Sequence, residues 1–514
     1  SDELATVNSK GLLEVKGEQG TKHSNKAESL AQDPVVIEGK ALVMFRPSSD
    51  WEDDSASIDN PTYGFDWYRE NDTNLIGDAA RIDTIMGFYH NNDTETSFQP
   101  ESAAVIESFK SEYRNVTIDR NGTPYRYFVP KLILYKNENE QVRSVASLDI
   151  IYDVYEEPNN LFIEYEREYF NITEPGAIAY GVSPRTSQQT PRPEIAYQPT
   201  EGYNIFKISP KSVGNDKSIT VEIECLKPFG DLNGKQIKAY ALTEGTNGQP
   251  AQKKTVGVLD VMPNSKANRK VVKLLMVNVI TDADYNGVAE KGYEAPKLLE
   301  QKKLLRKYLR NSLIDPIFKK VDLNLDRSPV KEHFNRVYTR NNNLLYNKPN
   351  GLPPLSVYLK EKLKEKLKSI LNERLRGKTV NLEAEYNKRY KDYLPIFFLS
   401  QKKFEDDPLK IAYYSPLSNV IVATNKLKPV TIAHEVYHSL KLPHSFESKR
   451  HMPAHIHPLN RSIDSNGEFS FKRGETTNIM DHTTNNRNNL FYWQIKIVRS
   501  KAAPEPNNYR PEQL

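Results

Sequence analysis

Cysteine is almost absent. Cys225 is the only one in 514 residues, so no disulfide can form within the chain. Small exported domains often lean on such cross-links, whereas this chain must stand on packed cores or bound metal. Long apolar runs are missing too. No stretch approaches the roughly 20 apolar residues a membrane-crossing helix needs, so no transmembrane segment is expected. Strong charge of one sign is also lacking: 71 lysines and arginines face 67 aspartates and glutamates, for a net charge of +4. A dedicated nucleic-acid binder would carry a concentrated basic field, so no nucleic-acid partner is expected. Nothing after Ser1 reads as a signal peptide. What remains is a globular composition, 38% hydrophobic and 27% charged, at a length that implies about two to four domains.

Organisation follows from changes of pattern. Residues 1–33 are polar and without sustained periodicity, as expected of a flexible arm. Runs such as "VVIEGKALVMF", "YRYFVPKLILY" and "SLDIIYDVY" then alternate apolar with polar residues, and "DRNGT" is a hairpin signal. These predict a β-sandwich-like domain over 34–174, with Trp67 and Tyr68 as packing residues. Five prolines within 175–200 predict a linker. A small β module is expected over 201–263, with Cys225 buried in one of its strands. The Asn-x-Thr triplets at Asn71, Asn92, Asn115, Asn121 and Asn171 read as ordinary turn and strand residues.

Residues 264–514 change again. "VVKLLMVNVI" is a continuous apolar run, the mark of a strand covered on both faces. Two helices are predicted, one presenting Leu298, Leu299, Leu304, Leu305 and Leu309, the other Leu359, Leu363, Leu367, Ile370, Leu371 and Leu375. "YLPIFFLS" and "NVIVATN" read as further strands, which makes this an α/β domain behind all-β modules.

Within it, "HEVYHSLKLPH" puts three histidines and a glutamate into eleven positions of a chain with ten histidines in all. His434 and His438 are i and i+4, so one face of a helix carries both rings, the spacing two imidazoles need to grip one Zn²⁺ ion. Glu435 points off that line, where its carboxylate can reach a water held by the ion. Pro443 breaks the helix and lets His444 swing back as third ligand, leaving a position open as in a catalytic site. His451, His455 and His457 read either as a second metal site or as a histidine-rich loop.

These residues resemble the metzincin zinc peptidases, whose motif is H-E-x-x-H-x-x-G-x-x-H followed by a methionine turn. "HEVYHSLKLPHSF" matches the four functional positions, and "HEV" with "HSF" looks most like the pappalysin branch. "TTNIMDH" resembles the turn, and "NNLFYWQIKIVR" the helix that family places after it. The resemblance implies zinc ligands His434, His438 and His444, Glu435 as general base, and Met480 as the hydrophobic floor under the metal. It implies a zinc metalloendopeptidase with a protein or peptide substrate. Lys441 stands where the family has glycine, tolerable at about 1 kcal/mol if its φ is positive. His482 stands where several branches carry a tyrosine; a fifth ligand, a catalytic donor to the transition state and a plain turn residue all remain open. "NVIVATN" reads as the strand at the cleft edge or as plain core.

Tandem β modules ahead of a C-terminal enzyme also loosely resemble toxins that bacterial secretion machines export. That analogy implies a secreted effector or adhesin delivered outside the producing cell, with the β modules meeting the secretion machinery. A zinc-bound but inactive binding protein is a third reading, in which Glu435 has no structural duty.

Overall fold

The computed structural model describes residues 6–7, 13–14, 36–38, 41–48, 51, 63–68, 85–89, 98–120, 123–140, 143–155, 160–175, 199, 201–208, 214–231, 234–243, 252–282, 288–327, 330–340, 343–345, 352–376, 378–405, 410–447, 469–481 and 489–512. The chain is mostly β, with its helices concentrated in the C-terminal half. Among the described residues no helix is long and apolar enough to cross a membrane.

The N-terminal half folds as two facing sheets. One has six strands in the order Tyr203–Ile208, Asn160–Glu166, Lys235–Thr243, Gln252–Val261, Lys131–Ile133 and Gly64–Asp66. The other has four, Phe170–Thr173, Gly214–Cys225, Ser144–Val154 and Ala41–Pro47. The alternation seen in sequence sends Val43, Phe45, Ile150, Ile163, Ile223 and Ile237 into one shared core. Trp67 and Cys225 lie in that core, and burial pushes the Cys225 thiol up to about 11. The hairpin at "DRNGT" is formed, with Asn115–Arg120 paired antiparallel to Thr123–Phe128.

Two separate β modules, 34–174 and 201–263, are not what folds. Strands from both stretches alternate within both sheets: Gly214–Cys225 lies between Phe170–Thr173 and Ser144–Val154, and Lys235–Thr243 lies beside Asn160–Glu166. Neither stretch can bury its apolar faces alone, so they complete one sandwich.

The C-terminal half is built on a mixed sheet in the order Ile314–Asn324, Lys270–Thr281, Leu394–Phe398, Val420–Ala423 and Ala412–Ser415. The first four strands are parallel and the last, at the edge, is antiparallel. Leu274, Met276, Ile396 and Ile421 face a layer made by helices Ala295–Arg310 and Thr431–Ser439. Leu275, Val277, Phe397 and Val422 face helices Val330–Tyr338 and Leu355–Arg374. Coverage on both faces explains the continuous apolar run of the central strand. Leu298, Leu304, Leu305 and Leu309 are buried as expected, but Leu299 is 43% exposed, because the helix packs through a narrower stripe. "NVIVATN" is core, not edge: Val420–Ala423 is buried at every position, and Ala412–Ser415 takes the outer place.

The boundary near 264 separates strand patterns but not cores. Tyr68, Phe109, Tyr113 and Phe128 pack against Phe469, Phe471, Phe491 and Trp493 in a single aromatic cluster. Asp66, fully buried, accepts hydrogen bonds from Tyr113 Oη at 3.0 Å and from the Tyr492 backbone N–H at 2.7 Å. Buried Arg310 bridges Glu140 at 2.9 Å and Asp315 at 2.7 Å. The sandwich is therefore part of the wall of the C-terminal unit.

Candidate metal centre

Helix Thr431–Ser439 lies on the sheet beside helix Ala295–Arg310, over the strands Val420–Ala423 and Ala412–Ser415, with Thr431 to Tyr437 all buried. Its rotation about its own axis is set by Tyr437, whose hydroxyl donates to the Tyr308 carbonyl at 2.9 Å and sits 3.1 Å from Ser312 Oγ. With Tyr437 turned inward, His434 and His438 share another face.

The helix ends in a backbone turn that returns the chain toward that face. Leu442 N–H donates to Tyr437 O at 3.1 Å, and Lys441 N–H to His438 O at 2.9 Å, the paired bonds of a Schellman motif. Lys441 holds the left-handed position with φ 68°, where glycine is the ordinary choice. The turn aims the Leu442 carbonyl at His438 Nδ1, 2.8 Å away, and brings His444 beside the helix.

The three rings converge. His438 Nε2 lies 3.1 Å from His434 Nε2 and 3.1 Å from His444 Nε2. His434 Nδ1 faces the Ile479 carbonyl at 2.8 Å. A carbonyl can only accept, so Nδ1 of His434 and of His438 must each carry the proton, and both Nε2 atoms present lone pairs. Lone pairs aimed at one another repel unless a cation sits between them. Tetrahedral ligands about 2.0–2.1 Å from Zn²⁺ would stand roughly 3.3 Å apart, so the donor set fits that ion. Burial, with the His444 ring adjacent, pushes His438 down to about 3, which keeps it neutral and ligand-ready.

Glu435 is 9% exposed, and its Oε2 accepts the Tyr414 backbone N–H at 2.6 Å. Tyr414 belongs to the edge strand, and Ile411 O accepting Thr424 N–H at 2.9 Å sets the ladder so that Tyr414 turns its N–H away from Val420–Ala423. The glutamate thus has a structural partner as well as a place beside the rings, contrary to the expectation that it would have no structural duty.

Met480 is fully buried in the core behind the helix. The turn around it touches the site through main chain: Ile479 O meets His434, and Met480 O accepts Ser445 N–H at 3.0 Å. Asn478 ties the turn down, with Oδ1 taking Met480 N–H at 2.9 Å and Nδ2 donating to Gln494 Oε1 at 2.7 Å. Gln494 lies in helix Tyr492–Lys501, which follows the turn as expected.

His434, His438 and His444 are therefore brought together, with Glu435 on the same helix and Met480 behind it. His482, His451, His455 and His457 lie outside the described residues. Sequence reasoning missed Tyr414, Asn478 and Glu447. Glu447 alone left a trace, as an acid three residues after His444 at the end of the motif. No family model matches the chain, and comparison with curated proteins gives no match.

Proposed function

We propose that the chain is a zinc-dependent endopeptidase acting on protein or peptide substrates, with a metzincin-like α/β unit as its catalytic part. The observation that carries this reading is the convergence of three imidazole donors at one point, with the buried carboxylate of Glu435 on the adjoining helix position. His434, His438 and His444 would hold the ion. Zn²⁺ held by three neutral imidazoles supplies Lewis acidity toward a scissile carbonyl and toward water. Glu435 takes the proton of the attacking water and passes it to the leaving amine. Tyr414 N–H fixes one oxygen of that carboxylate and so orients the base. His482, two residues past Met480 in sequence, is a candidate fifth ligand or donor to the transition state.

Zinc analysis of wild type and Glu435→Gln, with proteome-wide cleavage profiling of both, tests the proposal. Stoichiometric zinc in both and at least about a hundredfold loss of cleavage in the variant are expected. Equal cleavage would remove Glu435 from the mechanism. Zinc without cleavage in wild type would favour the binding-protein reading, for which the bond between Glu435 and Tyr414 supplies the structural duty. Delivery of the chain as an exported effector remains a separate proposal, which an adjacent immunity gene would support.

A further inference from the structure

The three imidazoles do not meet equivalent partners behind the ring. His434 and His438 each face a neutral backbone carbonyl through Nδ1. His444 instead faces a full negative charge: Glu447 Oε1 lies 2.9 Å from its Nδ1, while Oε2 accepts the His444 backbone N–H at 3.1 Å. One carboxylate therefore reaches both the main chain and the ring of the same residue. Phe446 lies flat on the His444 ring at 4.9 Å and 6°, and the Arg473 guanidinium stands 5.4 Å from the Phe446 ring centroid. That stack fixes the plane of the ring. It cannot fix which nitrogen carries the proton, because an aromatic face is indifferent to the tautomer.

We propose that Glu447 is a positioning residue for the metal, holding the His444 ring with Nδ1 toward its carboxylate and Nε2 toward the other two imidazoles. The inference rests on the metal reading above. Two consequences follow from charge alone. A carboxylate behind an imidazole raises its donor strength, and such outer partners are worth roughly 10–100-fold in metal affinity. Three neutral rings leave a doubly charged ion uncompensated, and two carboxylates accompany the ligand set, Glu435 between its first two histidines in sequence and Glu447 just after its third.

The test is made on the full chain. Wild type, Glu447→Gln and Glu447→Asp are stripped of metal, titrated with Zn²⁺ against a chelator of known affinity, and melted in the metal-free form. Glu447→Gln preserves the size and an acceptor for the backbone N–H but removes the charge. It should bind Zn²⁺ about 10–100-fold more weakly while its metal-free melting temperature stays that of wild type. Glu447→Asp, charged but one methylene shorter, should fall between. Equal Zn²⁺ affinity in Glu447→Gln and wild type overturns the proposal. So does an affinity loss matched by an equal loss of metal-free stability, since that would make Glu447 a fold residue only. If Glu447→Gln does not fold, Glu447→Asp decides, and wild-type affinity there overturns the proposal as well. Wild type that takes up no zinc defeats the metal reading itself, a result separate from the other two.

Discussion

Asp66 of the sandwich accepts the backbone N–H of Tyr492 at 2.7 Å, at the first residue of the helix behind the Met480 turn. The same carboxylate takes the Tyr113 hydroxyl, so one buried acid joins the sandwich, the segment before the 115–128 hairpin and the C-terminal unit. Asp66→Ala should cost about 2–3 kcal/mol by leaving two buried donors without their charged acceptor. Urea unfolding of the full chain measures it, and an unchanged midpoint would deny the coupling.

Residues 264–514 expressed alone should fail to give a soluble zinc-binding protein. They would expose Phe469, Phe471, Phe491 and Trp493, which the sandwich covers with Tyr68, Phe109, Tyr113 and Phe128. A soluble fragment with stoichiometric zinc would show that the cluster is dispensable.

Lys441→Gly should stabilise the metal-free protein by about 1 kcal/mol, because only the left-handed residue of the turn is relieved. Zinc stoichiometry should not change. Denaturant midpoints of the two forms decide it, and a destabilised variant would mean that the lysine side chain contributes more than its backbone costs.

Tyr414→Pro should lower kcat by about ten- to a hundredfold at equal zinc content, since misplacing the base by a fraction of an ångström is costly. Proline is tolerated on an edge strand where the N–H points outward. Tyr414→Ala retains the N–H and controls for loss of the ring. Equal activity in the two variants would mean that the bond to Glu435 does not position the base.

Cys225 gives a pH signature. Its thiol stands at about 11 in the folded chain against 9.0 as the ordinary value. Above pH 9 the unfolded chain sheds this proton and the folded chain keeps it, so stability should fall as pH rises from 9 toward 11. Comparing unfolding of wild type and Cys225→Ala across that range isolates the thiol, whose added slope should vanish in the variant.

The three converging histidines were legible because they are local. Positions i, i+4 and i+10 need only one helix and one turn to meet, and even the positive φ of Lys441 follows from the motif. Tyr414 was not legible, since it acts through a backbone N–H that no side-chain pattern marks, across 21 positions of sequence. Strand content was readable by alternation, while strand order was not. Ala412–Ser415 is too short to show a period, so sequence alone left the apolar run beside it open between edge and core. The proline-rich stretch 175–200 looked like a border between modules because composition reports local stiffness and says nothing of which strands pair across it.

That pairing changes what a break in the chain would mean. Strands on either side of 175–200 sit as neighbours in both sheets, from Asn171 opposite Glu224 to Phe162 opposite Tyr240. A protease that cuts between them would nick the sandwich without severing it, and the two pieces should travel as one particle until denaturant parts them. Deleting either piece by a frameshift or a splice would not shed a module. It would leave half of each sheet with nothing to lie against, and the C-terminal unit would lose its wall with it.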